Sequence, residues 1–396
     1  MDPAPLIFLV FIALIFLLGI LSIFLANFVK ISRILFFLAI GIILSLMGLF
    51  DLSPIFIAAI SILALAMIVF DTSSRFKHRI KDNLSFEAFK LTIIILVLNI
   101  IFLSIALFFL YSSSMNLWFV VILSFLMLGT DITSLTIAMK KLDTRLIDFL
   151  DIESAINTFF VILTPFIALS LTADYSHGLL SSVYPMLLNI ILSIGVGVVL
   201  GLIFFRFLYT KYSETLSPII ILSSILLAYI IAENIGGNGV LAIVVIGLFF
   251  GAFYLKEKEK LIEFSTLFTG SLEILVFILA GIIVKVPLTL DFILISIVLF
   301  MILVMLRVVA VFTSLGGIFD AKEKIFLALN AEKGLEVGVI ILALSAMKIS
   351  YFEPILQLSV AFMIYSIILS FFVARIFGSL PTKKPKPSKK RKVKKK

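Results

Sequence analysis

The sequence predicts an all-α polytopic membrane protein of about 13 transmembrane helices, built as two inverted six-helix repeats with crossed, broken fifth and twelfth helices. Three observations predict it. Of 396 residues, 62% are hydrophobic and the mean hydropathy is +1.29, more apolar surface than a water-soluble fold can bury. The apolar residues fall into runs long enough to cross a bilayer. Two of those runs are interrupted at mid-depth by polar clusters, "LGTDITS" at 128–134 and "NAEKGLEVG" at 330–338.

In chain order, the first run lies near 5–27 and ends at Lys30 and Arg33. Its leading "MDPAPL" lacks a basic n-region and a cleavage site, so it reads as a span rather than a signal peptide. The second and third, near 34–50 and 54–71, lead into a polar connection, 72–90, with Arg75, Lys77, Arg79, Lys81 and Lys90. The fourth lies near 91–112. The fifth, 116–139, passes through the first polar cluster to Lys140, Lys141 and Arg145. The sixth, 147–172, and the seventh, 184–207, are followed by a connection with Arg206 and Lys211. The eighth and ninth, 218–233 and 239–255, end at Lys256, Lys258 and Lys260. The tenth and eleventh, 261–284 and 288–314, lead to Lys322 and Lys324, and the last two lie near 324–348 and 353–377. The alternate connections carry only Lys285 and Lys348, so the positive-inside rule places the N-terminus outside and the C-terminus in the cytoplasm of a multi-pass cell-membrane protein.

Composition excludes other classes. No cysteine is present, so neither a disulfide framework nor a thiolate metal site exists. The two histidines, His78 and His177, are expected in loops, away from any shared metal. The chain shows no phosphate-binding glycine loop, nucleophile–base set or extramembrane domain, so neither an enzyme nor a cofactor is expected. The tail "KKPKPSKKRKVKKK", 383–396, carries no acid. On a membrane protein it reads as a disordered cytoplasmic segment attracted to anionic lipid headgroups, with no role for nucleic acid.

Thirteen spans divide into six, one and six: residues 1–172 as the first repeat, 184–207 as a linking helix, 218–377 as the second repeat and 378–396 as the basic tail. Helix one enters from outside and helix eight from inside, so the halves are inverted, as in many secondary transporters. The two polar clusters then fall on equivalent helices. Gly334 stands among Glu332, Lys333 and Glu336 in the second, and Asp131 is central in the first.

Ionisable residues at that depth cost about 2.5 kcal/mol or more, which makes function their default explanation. They are Asp131, Glu153, Glu273, Arg307, Lys333 and Glu336. In "DIESAINTFF", 151–160, Glu153 and Asn157 share one helix face, as do Ser154 and Thr158. One carboxylate, an amide oxygen and two hydroxyls suit a hard monovalent cation, to which unwound carbonyls of the fifth helix would add. Arg307 and Lys333 would offset the buried negative charge.

These residues resemble the cation:proton antiporter superfamily, in particular sodium/proton antiporters of the NhaP kind. By position, Thr130 and Asp131 match the threonine–aspartate of that family's first crossing helix, and Glu153 and Ser154 match its glutamate–serine. Arg307 matches the arginine that bridges to this glutamate and orients the asparagine, here Asn157. "KGLEVG" resembles the second crossing helix with Lys333 in place of arginine, and Asp71 in "IVFDTS" resembles an acidic residue near the ion. The resemblance implies monovalent cation/proton antiport with sodium as the cation, a cation site near Asp131 and Ser154, and a homodimer.

One departure bears on all of this. The family's asparagine–aspartate pair reads Asn157–Thr158 here, and a threonine binds a cation but shuttles no proton. Either Asp131 or Glu153 carries the proton, or the scaffold moves another solute, or the protein does not transport. A smaller departure is Ile132, where a proline commonly follows the threonine–aspartate.

Overall fold

The computed structural model describes residues 3–48, 54–79, 82–111, 117–131, 144–173, 179–210, 212–253, 257–346 and 352–377. Among them are fourteen helices and no strand. They are α1 (Pro3–Val29), α2 (Arg33–Leu46), α3 (Pro54–Arg79), α4 (Asp82–Tyr111), α5 (Leu117–Leu126), α6 (Thr144–Ala173) and α7 (Leu179–Thr210). There follow α8 (Leu216–Asn234), α9 (Gly239–Ala252), α10 (Lys258–Ile283), α11 (Leu290–Ser314), α12 (Ala321–Leu329), α13 (Leu335–Ala346) and α14 (Glu353–Phe377). Eight are long and apolar enough to cross a membrane, and α2, α9 and α13 are shorter and apolar.

Among the described residues each expected run coincides, at least in part, with a helix, and the architecture is all-α. The twelfth run is two helices, α12 and α13, separated by 330–334. The fifth leaves its helix at Leu126, and the rest of that run, 132–143, lies outside the described residues, so the count of thirteen remains an expectation. The basic tail and His177 also lie outside them.

The long loop expected at 72–90 is a correction. α3 continues to Arg79 and α4 starts at Asp82, so His78 is helical. Paired charges sustain both helices beyond the apolar stretch: Arg75 bonds Asp71 one turn back at 3.1 Å, and Lys90 pairs with Glu87 at 3.8 Å.

The helices pack as two groups. In one, α2 lies on α10, and α9 lies against α3, α7 and α8; in the other, α11 lies on α4 and α12, and α6 on α4 and α5. α13 joins them by packing on α3, α10 and α6. Lipid tails supply no hydrophobic drive between helices, so close backbone approach at small residues holds them. A Cβ on Gly41 of α2 would stand 2.3 Å from the Ile278 carbonyl oxygen and 2.8 Å from Gly281 Cα of α10. One on Gly251 of α9 would stand 2.6 Å from the Ser74 carbonyl oxygen of α3. Large apolar side chains such as Phe24, Phe28, Phe109 and Ile191 are exposed, as a lipid-facing surface requires.

Gly41→Ala is expected to destabilise by about 1–3 kcal/mol, because the obstructing atoms are backbone. Gly270→Ala, with open space around it, should be neutral or stabilising by about 0.5–1 kcal/mol. Thermal unfolding of the two variants in detergent checks the contrast.

Candidate functional site

At the centre, the chain leaves α5 through a turn at Met127–Leu128 and crosses the unwound segment between α12 and α13. The backbone N–H of Asp131 donates to the Glu332 carbonyl at 2.8 Å. Glycine permits the approach. A Cβ on Gly129 would meet Val337 Cγ2 at 2.6 Å and Glu336 Oε1 at 2.9 Å; one on Gly334 would meet Asp131 Cβ at 2.6 Å.

Breaking a helix here leaves carbonyls without a partner in their own helix. Lys333 serves one break: its buried Nζ donates to the Met127 and Gly129 carbonyls at 2.5 and 3.0 Å, just past the C-terminus of α5. Its own backbone N–H is held by Ser366 Oγ of α14 at 3.0 Å. Arg307 serves the other, donating to the Leu327 carbonyl near the end of α12 at 3.4 Å. A cation at each helix C-terminus also matches the helix dipole. Conversely, Asp131 lies against Gly334, immediately before the N-terminus of α13, where the dipole favours an anion.

α6 supplies a second cluster. Glu153 has no exposed surface, and its Oε1 lies 2.7 Å from an Arg307 guanidinium nitrogen. Asn157, one turn on, is held at both ends of its amide. Its Nδ2 donates to Thr130 Oγ1 at 3.0 Å and to Glu153 Oε1 at 3.4 Å, and its Oδ1 accepts from Thr92 Oγ1 of α4 at 2.7 Å. Residues from α4, α5, α6 and α11 are thereby tied together.

Thr158 does not join them. Its hydroxyl donates back to the Ser154 carbonyl at 2.8 Å, and it lines a small cavity with Val69, Thr72, Ser73, Val244 and Leu248 of α3 and α9. The two pairs on α6 thus face different ways, since neighbours on a helix stand about 100° apart. Asp71 is bonded by Arg75, whose guanidinium also reaches Thr266 of α10. Glu273 is gripped by Arg33 of α2 through two bonds of 2.6 and 2.9 Å.

The structure therefore brings Asp131, Thr130, Glu153, Asn157, Arg307 and Lys333 together, and sets Thr158 and Asp71 apart with their own partners. Thr92 and Ser366 were not among the expected site residues. A lone hydroxyl in a span is common, because it can bond its own helix, and nothing in the sequence marks these two out.

The family sequence model described as "Sodium/hydrogen exchanger, transmembrane" matches residues 10–384. The chain belongs to the sodium/hydrogen exchanger family. It is therefore a multi-pass membrane cation/proton antiporter by family, and not an enzyme. No curated protein matches it. In fold it is similar to the sodium proton antiporter MjNhaP1 from Methanocaldococcus jannaschii, in a structure at pH 8 with 18% identity and a TM-score of 0.74, covering 93% of this chain and 97% of that one. A second, electron-microscopy structure of MjNhaP1 matches with 16% identity and a TM-score of 0.71, covering 96% of this chain and 99% of that one.

Removing one partner of the Glu153–Arg307 pair leaves a buried charge alone. Arg307→Ala is expected to cost about 3–5 kcal/mol in stability, and adding Glu153→Gln should recover part of that loss. Thermal unfolding of the single and double variants in detergent measures it; equal loss in both would remove the pair from the account.

Proposed function

We propose that this exchanger moves a monovalent cation, sodium by preference, against protons by alternating access, with cation and proton competing for midplane carboxylates. The observation that carries this is Asp131 at the crossing, beside the N-terminus of α13, while Lys333 is occupied by the carbonyls beyond α5. Glu153 is neutralised by Arg307, which favours Asp131 over Glu153 as the carrier in place of the absent aspartate at 158. Thr130 and Asn157 are the neutral oxygen donors grouped with Asp131 and fit a hard cation; Ser154, on the α6 face of Thr158, would have to reach the site from that side. Sodium as the cation is supported by membership of the sodium/hydrogen exchanger family and by the likeness to the sodium proton antiporter MjNhaP1.

The two packed groups support a division of labour. α4, α5, α6 and α11 to α14 form a core that carries the site, and it moves against a panel of α1 to α3 and α7 to α10. The inverted repeats 1–172 and 218–377, an outside N-terminus and a homodimer belong to the same proposal. It is supported by the basic-residue asymmetry and by the two broken helices.

The test is exchange in liposomes containing a pH dye. Under an imposed pH gradient, external sodium should dequench the dye, and Asp131→Asn should abolish the response while protein still reaches the membrane. Silence of the wild type towards both sodium and potassium, beside a working antiporter, would favour another solute or no transport, as Thr158 allows. Thr158→Asp places a carboxylate at the α3–α9 cavity and should raise proton-coupled activity or shift its pH range; an inert variant in a transporting background would locate the carrier elsewhere.

A further inference from the structure

Glu336 has no task in the account above, yet it is a buried carboxylate in the first turn of α13, and its Oε1 has no hydrogen-bond partner. A lone buried carboxylate oxygen is costly, so its presence calls for a ligand or a proton. Its neighbours are defined by the two glycines of the crossing. Oε1 lies 2.9 Å from the point where a Cβ on Gly129 would stand. Oε2 lies 2.8 Å from the corresponding point on Gly334, and Asp131 Oδ2 lies 3.0 Å from that same point. Two carboxylates, one from the segment after α5 and one from the first turn of α13, thus meet over one glycine, where a side-chain methyl would collide with both residues.

The other charges around α13 have hydrogen-bond partners, and among them Lys333 also faces Glu336 electrostatically. Lys333 bonds the carbonyls of Met127 and Gly129, and Glu153 bonds Arg307. On the helices packed against α13, Asp71 of α3 is paired with Arg75 and Glu273 of α10 with Arg33; α14 presents Ser366. Glu332, buried beside the crossing, gives its backbone carbonyl to Asp131.

We propose that Glu336 and Asp131 together form the cation/proton site, holding either one monovalent cation or one shared proton, and so replace the sixth-helix aspartate that Thr158 lacks. This rests on the antiport proposal above. Like charges this close do not both ionise unaided, so without a cation the pair keeps one proton and one negative charge. A cation entering between them displaces that proton to water. The pair is then fully ionised around one positive charge, and the net charge is again minus one. Exchange by this pair is one cation for one proton, with no net charge moved.

The experiment measures proton release from purified protein in lightly buffered detergent solution, with a pH indicator, on addition of sodium or potassium chloride and with choline chloride as control. Wild type is expected to release about one proton per chain. Glu336→Gln should release about tenfold less at the same cation concentration, with its thermal midpoint retained. Equal release from wild type and Glu336→Gln would overturn the inference, as would no release from wild type with either cation. If Glu336→Gln does not fold, Glu336→Asp decides. A shifted pH midpoint and weaker half-saturation support the pair, and values matching wild type overturn it. Liposome exchange separates the two levels. Exchange that survives Glu336→Gln unchanged leaves antiport standing and removes Glu336. Proton release without exchange keeps the site and removes antiport.

Discussion

A backbone polar group inside a bilayer has to be paired within the protein, and the crossing is organised around that constraint. Unwinding the chain after Leu126 and between Leu329 and Leu335 releases carbonyls and N–H groups from their helices. Four carbonyls are met by something specific: Met127 and Gly129 by Lys333, Leu327 by Arg307, and Glu332 by the Asp131 N–H. The two buried cations thus answer the end of α5 and the gap between α12 and α13, each set against a helix C-terminus where partial negative charge accumulates.

Once the cations are assigned, the anions sort themselves. Arg307 is shared between Leu327 and Glu153, and that carboxylate then orients Asn157. Asn157 fixes Thr130 beside Asp131, so α6 contributes alignment while its charge stays cancelled. The proposed exchange site then lies at the N-terminus of α13. A threonine at 158 is physically at home, because its position faces a small, mostly apolar cavity against α3 and α9, and its hydroxyl is satisfied by its own helix.

Much of this was legible in the sequence because membrane constraints are severe. Apolar runs, the basic-residue asymmetry and two polar breaks are strong signals when a charge costs about 2.5 kcal/mol. Asp131, Glu153, Arg307 and Lys333 stood out for the same reason. Side-chain direction was less visible. Ser154 and Thr158 share a face by spacing, but which way that face points depends on α3 and α9, far off in sequence. Arg33 meets Glu273 across 240 positions, and Thr92 meets Asn157 across 65. The polar stretch 72–90 read as a loop because its charges hid a helix that i,i+4 pairing sustains. Glu336 was noticed as a charge, but only the positions of Gly129 and Gly334 relate it to Asp131.

The distribution of polar contacts also bears on movement. Arg33–Glu273 ties α2 to α10, and the Arg75 guanidinium ties α3 to α10, all inside the proposed panel. Thr92–Asn157–Thr130, Glu153–Arg307 and Lys333–Met127 tie α4, α5, α6, α11 and the crossing segment inside the proposed core. Between the groups, α13 packs on α3 and α10, with the apolar Phe277 ring of α10 lying against Gly338 of α13. Contacts of that kind can slide, since in lipid an exposed apolar surface loses packing and little else. Hydrogen bonds to buried charges cannot be exchanged so cheaply. In the proposed alternating access, motion between the groups would follow the apolar seam, and the site at the crossing would travel as a unit with the helices that its own hydrogen bonds define.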